Sequence, residues 1–211
     1  EQTGFALAAA GDVNGDGAPD LIIGAPRARN RTNSLLDQTG RVYIVFGGRP
    51  RPQVIDLEDE ADVTIEGGQS YARLGTAVAG IGDMNGDGTG DVALGAPYLD
   101  TYGYVDAGEA MVIFGSSGLP AVIDSTASLD GIGLRLSGLA CSIKLGSAVA
   151  GADVNGDGFA DLIAGAPQGG TKLAGSAYIV FGGTALPSAL TTGALGDLGV
   201  AIAGAFSYGY L

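Results

Sequence analysis

The sequence predicts an all-β chain: a β-propeller built of four-stranded antiparallel blades, with three blades in 211 residues. Three observations carry that expectation. One nine-residue phrase occurs three times at intervals of about 70 residues, so three periods fill the chain and leave nothing over for a separate domain. The apolar runs between the copies are short, rich in Val, Ile, Tyr and Phe, and bounded by Gly, Pro and Asp, which are strand signals without helical length or period. Several runs are apolar on consecutive residues, as in Tyr43-Ile44-Val45-Phe46, so both faces of each small sheet should be covered by sheets stacked around an axis.

Each period reads as the same series of elements. A run of small residues opens it: Ala6 to Ala10, Thr76 to Gly80 and Ser147 to Gly151. Small side chains suit the strand nearest the axis, where space is tight. The phrase follows, as DVNGDGAPD (Asp12 to Asp20), DMNGDGTGD (Asp83 to Asp91) and DVNGDGFAD (Asp153 to Asp161). A second strand then ends in Gly-Ala-Pro: Leu21-Ile22-Ile23, Val92-Ala93-Leu94 and Leu162-Ile163-Ala164. The third closes on Phe-Gly: Val42 to Phe46, Met111 to Phe114 and Ala177 to Phe181. A weaker fourth is Val63-Thr64-Ile65, Leu134-Arg135-Leu136 and Val200-Ala201-Ile202. The blades are therefore expected at 1–74, 75–145 and 146–211. Ser207 to Leu211 aligns with Ser70 to Leu74, so the chain reads as a whole number of blades, either a piece of a longer propeller or a unit that assembles into one.

Composition removes several function classes. No apolar run approaches 18 residues, so no membrane insertion by a helix is expected. There is no His, which excludes His-dependent triads and His-ligated zinc within these residues. Net charge is −13, the wrong sign for gripping nucleic acid or anionic lipid, and cations are the expected partners. The single cysteine, Cys141, forms no internal disulfide and is expected to be a buried or semi-buried inert thiol. Glu1 is not an initiator Met, so the chain reads as a processed or excised segment.

The repeated phrase has the chemistry of a calcium loop. In D-x-N-x-D-x-x-x-D, side chains at positions 1, 3 and 5 converge, the carbonyl at position 7 joins them, and the last Asp closes the shell. Glycines at positions 4 and 6 permit the tight turn, and hard oxygen donors select Ca²⁺ over softer metals. Three Ca²⁺ sites per chain are expected. The first comprises Asp12, Asn14, Asp16, the Ala18 carbonyl and Asp20. The second comprises Asp83, Asn85, Asp87, the Thr89 carbonyl and Asp91, and the third Asp153, Asn155, Asp157, the Phe159 carbonyl and Asp161. A plain hairpin turn explains Asn-Gly-Asp-Gly but not an Asp at positions 1 and 9 in every copy.

With D-x-N-G-D-G-x-x-D followed by Gly-Ala-Pro in three copies, the whole chain resembles the FG-GAP repeat family, which forms the propellers of integrin alpha subunits and of many bacterial surface proteins. The resemblance implies a propeller, usually of seven blades, in an extracellular, cell-surface or periplasmic protein. It also implies a ligand-binding face opposite the calcium loops.

Strand reversal assigns the loops to faces. Calcium loops lie on one side, while the loops after the second strands and the inter-blade links lie on the other. That other face collects candidate partner-binding residues: Arg27, Arg29, Arg31, Tyr71, Arg73, Tyr98, Tyr102 and Tyr104. Tyr and Arg are the types enriched at binding hot spots. The plainer reading makes these loops ordinary solvated connections.

The functional expectation is a calcium-binding interaction or adhesion module, calcium structural, with a protein or glycan ligand. Self-association, for example a dimer giving six blades, or further blades in a longer chain would complete it. No enzymatic role is expected. The alternatives are an accessory or catalytic propeller of a secreted hydrolase, since the family includes propellers attached to a phospholipase, or a lectin-like propeller.

Overall fold

The computed structural model describes residues 1–31, 33, 35–170 and 174–204. The Ser207 to Leu211 segment expected to restart the repeat lies outside them. Fourteen strands are formed among the described residues. The first period gives β1 (Ala6–Gly11), β2 (Asp20–Ala25), β3 (Arg41–Val45) and β4 (Val63–Glu66). The second gives β5 (Ala77–Gly82), β6 (Asp91–Ala96), β7 (Glu109–Ile113), the short β8 (Val122–Asp124) and β9 (Gly133–Ser137). The third gives β10 (Ala148–Ala152), β11 (Asp161–Ala166), β12 (Ser176–Val180), the short β13 (Ala189–Thr191) and β14 (Gly199–Ala203).

Four strands of each period pair antiparallel in equivalent register, with Leu21 opposite Val45, Val92 opposite Ile113 and Leu162 opposite Val180. The departure from a plain four-stranded blade is a fifth strand taken from the next period. β8 adds parallel to β4, and β13 adds parallel to β9, giving orders β1-β2-β3-β4-β8 and β5-β6-β7-β9-β13. The third sheet, β10-β11-β12-β14, has no fifth strand among the described residues. In the first period the matching triplet, Val54-Ile55-Asp56, forms no strand; it leads instead into a single helical turn, Leu57–Glu60.

Consecutive apolar residues divide between two faces, as period-2 geometry requires. In β7, Met111 and Ile113 pack toward Ile22, Ile44 and Ile65 of the first sheet, while Ala110 and Val112 pack toward Leu162, Ala164 and Val180 of the third. On the far side of the first sheet, Ile23, Tyr43 and Val45 are covered by Ile55, Leu57 and Ala61.

Glycine in Gly-Ala-Pro is explained by this stacking. A Cβ on Gly24 would lie 2.1 Å from the Gly75 carbonyl oxygen, and one on Gly95 only 1.9 Å from that of Gly146. At Gly165, the same position in the last blade, the nearest atom among the described residues is 3.5 Å away and belongs to its own sheet.

Candidate functional site

The three β1–β2-type loops share one internal lattice. The first Asp spreads its carboxylate over two main-chain donors: Asp12 accepts from Asp16 N–H (3.0 Å) and Gly17 N–H (2.8 Å). Asp83 does the same with Asp87 and Gly88, and Asp153 with Asp157 and Gly158. The Asn at position 3 aims its Oδ1 at the same fifth-position N–H, at 2.9 Å for Asn14 and 3.0 Å for Asn85 and Asn155. Oxygens from positions 1 and 3 therefore converge in all three loops. The Asn amide donates to the fifth-position carboxylate, whose other oxygen accepts from the seventh-position N–H. Left-handed glycines make the turn, for example Gly15 and Gly17 at φ 75° and 86°.

The loops are also joined to one another. Gly90 N–H donates to the Asp12 carbonyl and Ala160 N–H to the Asp83 carbonyl, which couples each loop to its neighbour across the blade boundary. Electrostatics differ within a loop. The Asn14 amide, aided by the Ala18 N–H, holds Asp16 below the usual carboxylate range. Partial burial raises Asp87, but donors from Thr89 and Asn85 outweigh it and the group is lowered. Asp91 is pushed up to about 7 by burial, against the pull of the Gly115 and Met84 amides and with the Asp87 and Asp83 charges adding to the rise. Among the described residues no three acidic or thiol side chains gather closely enough to hold a metal by themselves. A cation at these loops would draw on carboxamide and carbonyl oxygens as well.

On the opposite face the expected residues separate into three groups. Arg29 is tied to Asp37 (3.0 Å) and Arg31 to Glu58 (3.1 Å). Glu58 also pairs with Arg41, a guanidinium 2% exposed, which is bonded to the Tyr43 hydroxyl and the Arg29 carbonyl and lies 3.6 Å from Glu66. With Asp62 held by Arg49 and Arg51, the acidic run 56–62 is paired with arginines of the basic stretch 29–51. Tyr71, Tyr102 and Tyr104 stand exposed. Arg27, Arg73 and Tyr98 come together around one cavity. Lys144 joins them over the Tyr98 ring, a residue the sequence reading missed although it precedes Leu145-Gly146 as Arg73 precedes Leu74-Gly75. Cys141 is exposed rather than buried, because it sits in a link turn outside the sheets.

The family model of the FG-GAP repeat matches residues 3–45 and 145–180, taking in the first and third loops. This is an FG-GAP repeat chain, and its three sheets are blades of a β-propeller. It is 36% identical over 188 residues to human phosphatidylinositol-glycan-specific phospholipase D, 87% of this chain but 21% of that protein. It is 34% identical to Xenopus laevis integrin alpha-5, over 77% of this chain and 14% of the integrin, and 36% identical to human integrin alpha-IIb, over 74% and 14%. The chain thus spans about a fifth or less of these relatives.

The phospholipase match overturns the flat expectation of no enzymatic role, because these repeats occur in a protein named for an enzymatic activity. Absent His and carboxylates committed within this segment say nothing about chemistry carried by the other four-fifths of such a relative.

The FG-GAP blades also explain why the phrase and Phe-Gly recur together. The last Asp of each phrase clamps the loop to the end of the third strand. Asp20 accepts from Val13 and Gly47 N–H, Asp91 from Met84 and Gly115, and Asp161 from Val154 and Gly182, all at 2.7–2.9 Å. A Cβ on Gly47, Gly115 or Gly182 would lie 2.2–2.4 Å from a carbonyl oxygen of the loop. Sequence reasoning assigned these Asp residues to closing a metal shell; here each carboxylate oxygen takes a main-chain N–H, which leaves further lone pairs for a cation.

Proposed function

We propose that the three loops bind calcium and that this FG-GAP chain is a calcium-supported interaction module of an extracellular, cell-surface or periplasmic protein. The observation that supports this reading is the threefold convergence of Asp and Asn oxygens on one N–H, in loops whose donors are all hard oxygens. Asp12, Asn14, Asp16 and the Ala18 carbonyl would hold the first ion, with Asp20 behind them; the equivalent residues of the other loops would hold the second and third. Bound calcium would offset the crowded carboxylates, taking the net charge from −13 to −7, and would brace loops that main-chain bonds already link. At a hundred times its dissociation constant, one ion adds about 2.7 kcal/mol to stability. Chelation should therefore lower the melting temperature by many degrees, and Asp87→Ala should abolish uptake at the second site alone. An unchanged melting curve together with no calcium uptake refutes the reading.

The partner-binding role is assigned to the face opposite the loops, with a protein ligand as in adhesion. A lectin-like role would act through the exposed Tyr102 and Tyr104, and a glycan-array signal lost on Tyr102→Ala would reveal it. The ends of the array call for further blades, from a second copy or a longer chain. Val54-Ile55-Asp56 matches the triplets that β8 and β13 lend to a preceding sheet, and β14 has an open edge among the described residues. Light scattering distinguishes a six-bladed dimer from a monomer. A second reading, an accessory propeller of a secreted hydrolase, draws on the phospholipase relatives. Turnover of a phosphodiester panel by the protein that contains this chain tests it.

A further inference from the structure

Six of the described Lys and Arg residues, namely Arg29, Arg31, Arg41, Arg49, Arg51 and Arg135, lie within 4.0 Å of a carboxylate. The remaining three described cations, Arg27, Arg73 and Lys144, have no carboxylate partner among the described residues, and they gather at one place. The Arg73 guanidinium lies 4.7 Å from the centroid of the Tyr98 ring, and the Lys144 ammonium 5.2 Å from it. Arg27, Arg73, Thr76 and Tyr98 line a cavity of about 140 Å³. The Nε of Arg73 is buried there without an acceptor.

The fold sets this cluster deliberately. Arg73 and Lys144 occupy the same place in successive inter-blade links, each just before the Leu-Gly that opens an inner strand. Both adopt left-handed backbone, at φ 57° and 55°, which non-glycine residues hold only where their surroundings impose it. Tyr98 follows the Gly-Ala-Pro of the blade between them. In a chain of net charge −13, three cations kept together without carboxylates are an arrangement that repulsion opposes unless an anion answers it.

We propose that this cluster is an anion seat that takes the carboxylates of an acidic peptide segment on a partner protein. The proposal rests on the reading of this face as the partner-binding one. Two features favour a short acidic peptide over other anions. The overall negative charge repels extended polyanions at long range, so attraction is confined to the cluster itself. The Tyr98 ring is already engaged by two cations no more than about 10 Å apart, so the seat offers paired charge rather than an open ring for a sugar to stack on.

The test is a fluorescence titration of the folded protein, in calcium, with a labelled Asp- and Glu-rich peptide and with its Asn and Gln counterpart. Inorganic sulfate serves as a probe for free oxyanions. The acidic peptide should bind saturably and the amide counterpart should not. Arg73→Gln and Lys144→Gln should each weaken binding about tenfold. Arg27→Gln, at an exposed position, should weaken it too with the melting temperature unchanged. Absence of saturable binding, equal binding of the amide peptide, or binding indifferent to all three substitutions overturns the proposal, as does sulfate binding without peptide binding. A titration that responds to Tyr102→Ala but not to the cations keeps the face and removes the seat. Melting on chelation tests the calcium reading separately.

Discussion

Replacing Gly95 by alanine places a methyl group 1.9 Å from the Gly146 carbonyl oxygen, well inside the roughly 3 Å of the closest real contacts. The obstructing atom is backbone, held in the third blade by the bond that Gly146 N–H makes to the Gly165 carbonyl, so relief requires the second and third blades to part by more than an ångström. Overpacking a tight interface costs about 1–3 kcal/mol, and an unyielding backbone contact belongs at the upper end, near 3 kcal/mol. Gly165→Ala makes the same chemical change at the same place in the repeat, yet the nearest atom among the described residues is 3.5 Å away. Its stability should stay within about 1 kcal/mol, helped by the lower entropy of the unfolded chain. Urea denaturation of both variants in the same calcium-containing buffer and at equal protein concentration, with equal slope, measures the contrast as a difference in midpoint. Equal destabilisation of the two, or a neutral Gly95→Ala, would refute the claim that inter-blade contact dictates this glycine. The comparison also reports on assembly: conditions that cover the open face of the third blade should make Gly165→Ala costly.

Asp91→Ala removes the acceptor for two buried amides, Met84 and Gly115, and should cost about 2–6 kcal/mol at roughly 1–3 per unsatisfied group; a loss below 1 kcal/mol in the urea midpoint analysis would discount the clamp. Arg41→Ala strands the buried Glu66, while Glu58 keeps Arg31, and should cost about 3–5 kcal/mol in the same assay, whereas a solvated network would lose far less. Burial raises the Glu109 carboxyl above its ordinary value despite the Ser137 hydroxyl and Arg135, so above that ordinary value the folded state keeps a proton that the unfolded state has released. Stability from this group is therefore lost as pH rises through that window, and Glu109→Gln should flatten the decline between acid and neutral pH; parallel slopes for both proteins would refute it.

Strand positions were legible because the repeat supplied each of them three times: the run before the phrase became β1, β5 and β10, and the runs before Gly-Ala-Pro and Phe-Gly became the second and third strands. The borrowed strands were not, because Val122–Asp124 and Ala189–Thr191 are too short to signal themselves and depend on a partner in the preceding blade. Val54-Ile55-Asp56 carries the same three letters as Val122–Asp124 without becoming a strand, so the deciding information is tertiary. On the opposite face, Tyr and Arg types could be read but not their engagements. Arg29 and Arg31 are bound to Asp37 and Glu58, and only residue contacts separate them from Arg27 and Arg73.

The lent strand gives the array a direction in time as well as in space. The first sheet cannot finish until the chain has reached Asp124, and the second must wait for Thr191, so each of these two blades leaves the ribosome with an unsatisfied edge that its successor closes. Such an order favours growth from one end and penalises skipped or shuffled repeats, since a blade deleted from the middle takes with it the last strand of the blade before. Adding or removing blades over evolutionary time would then be easiest when the cut falls so that every β4-type edge still meets a following triplet.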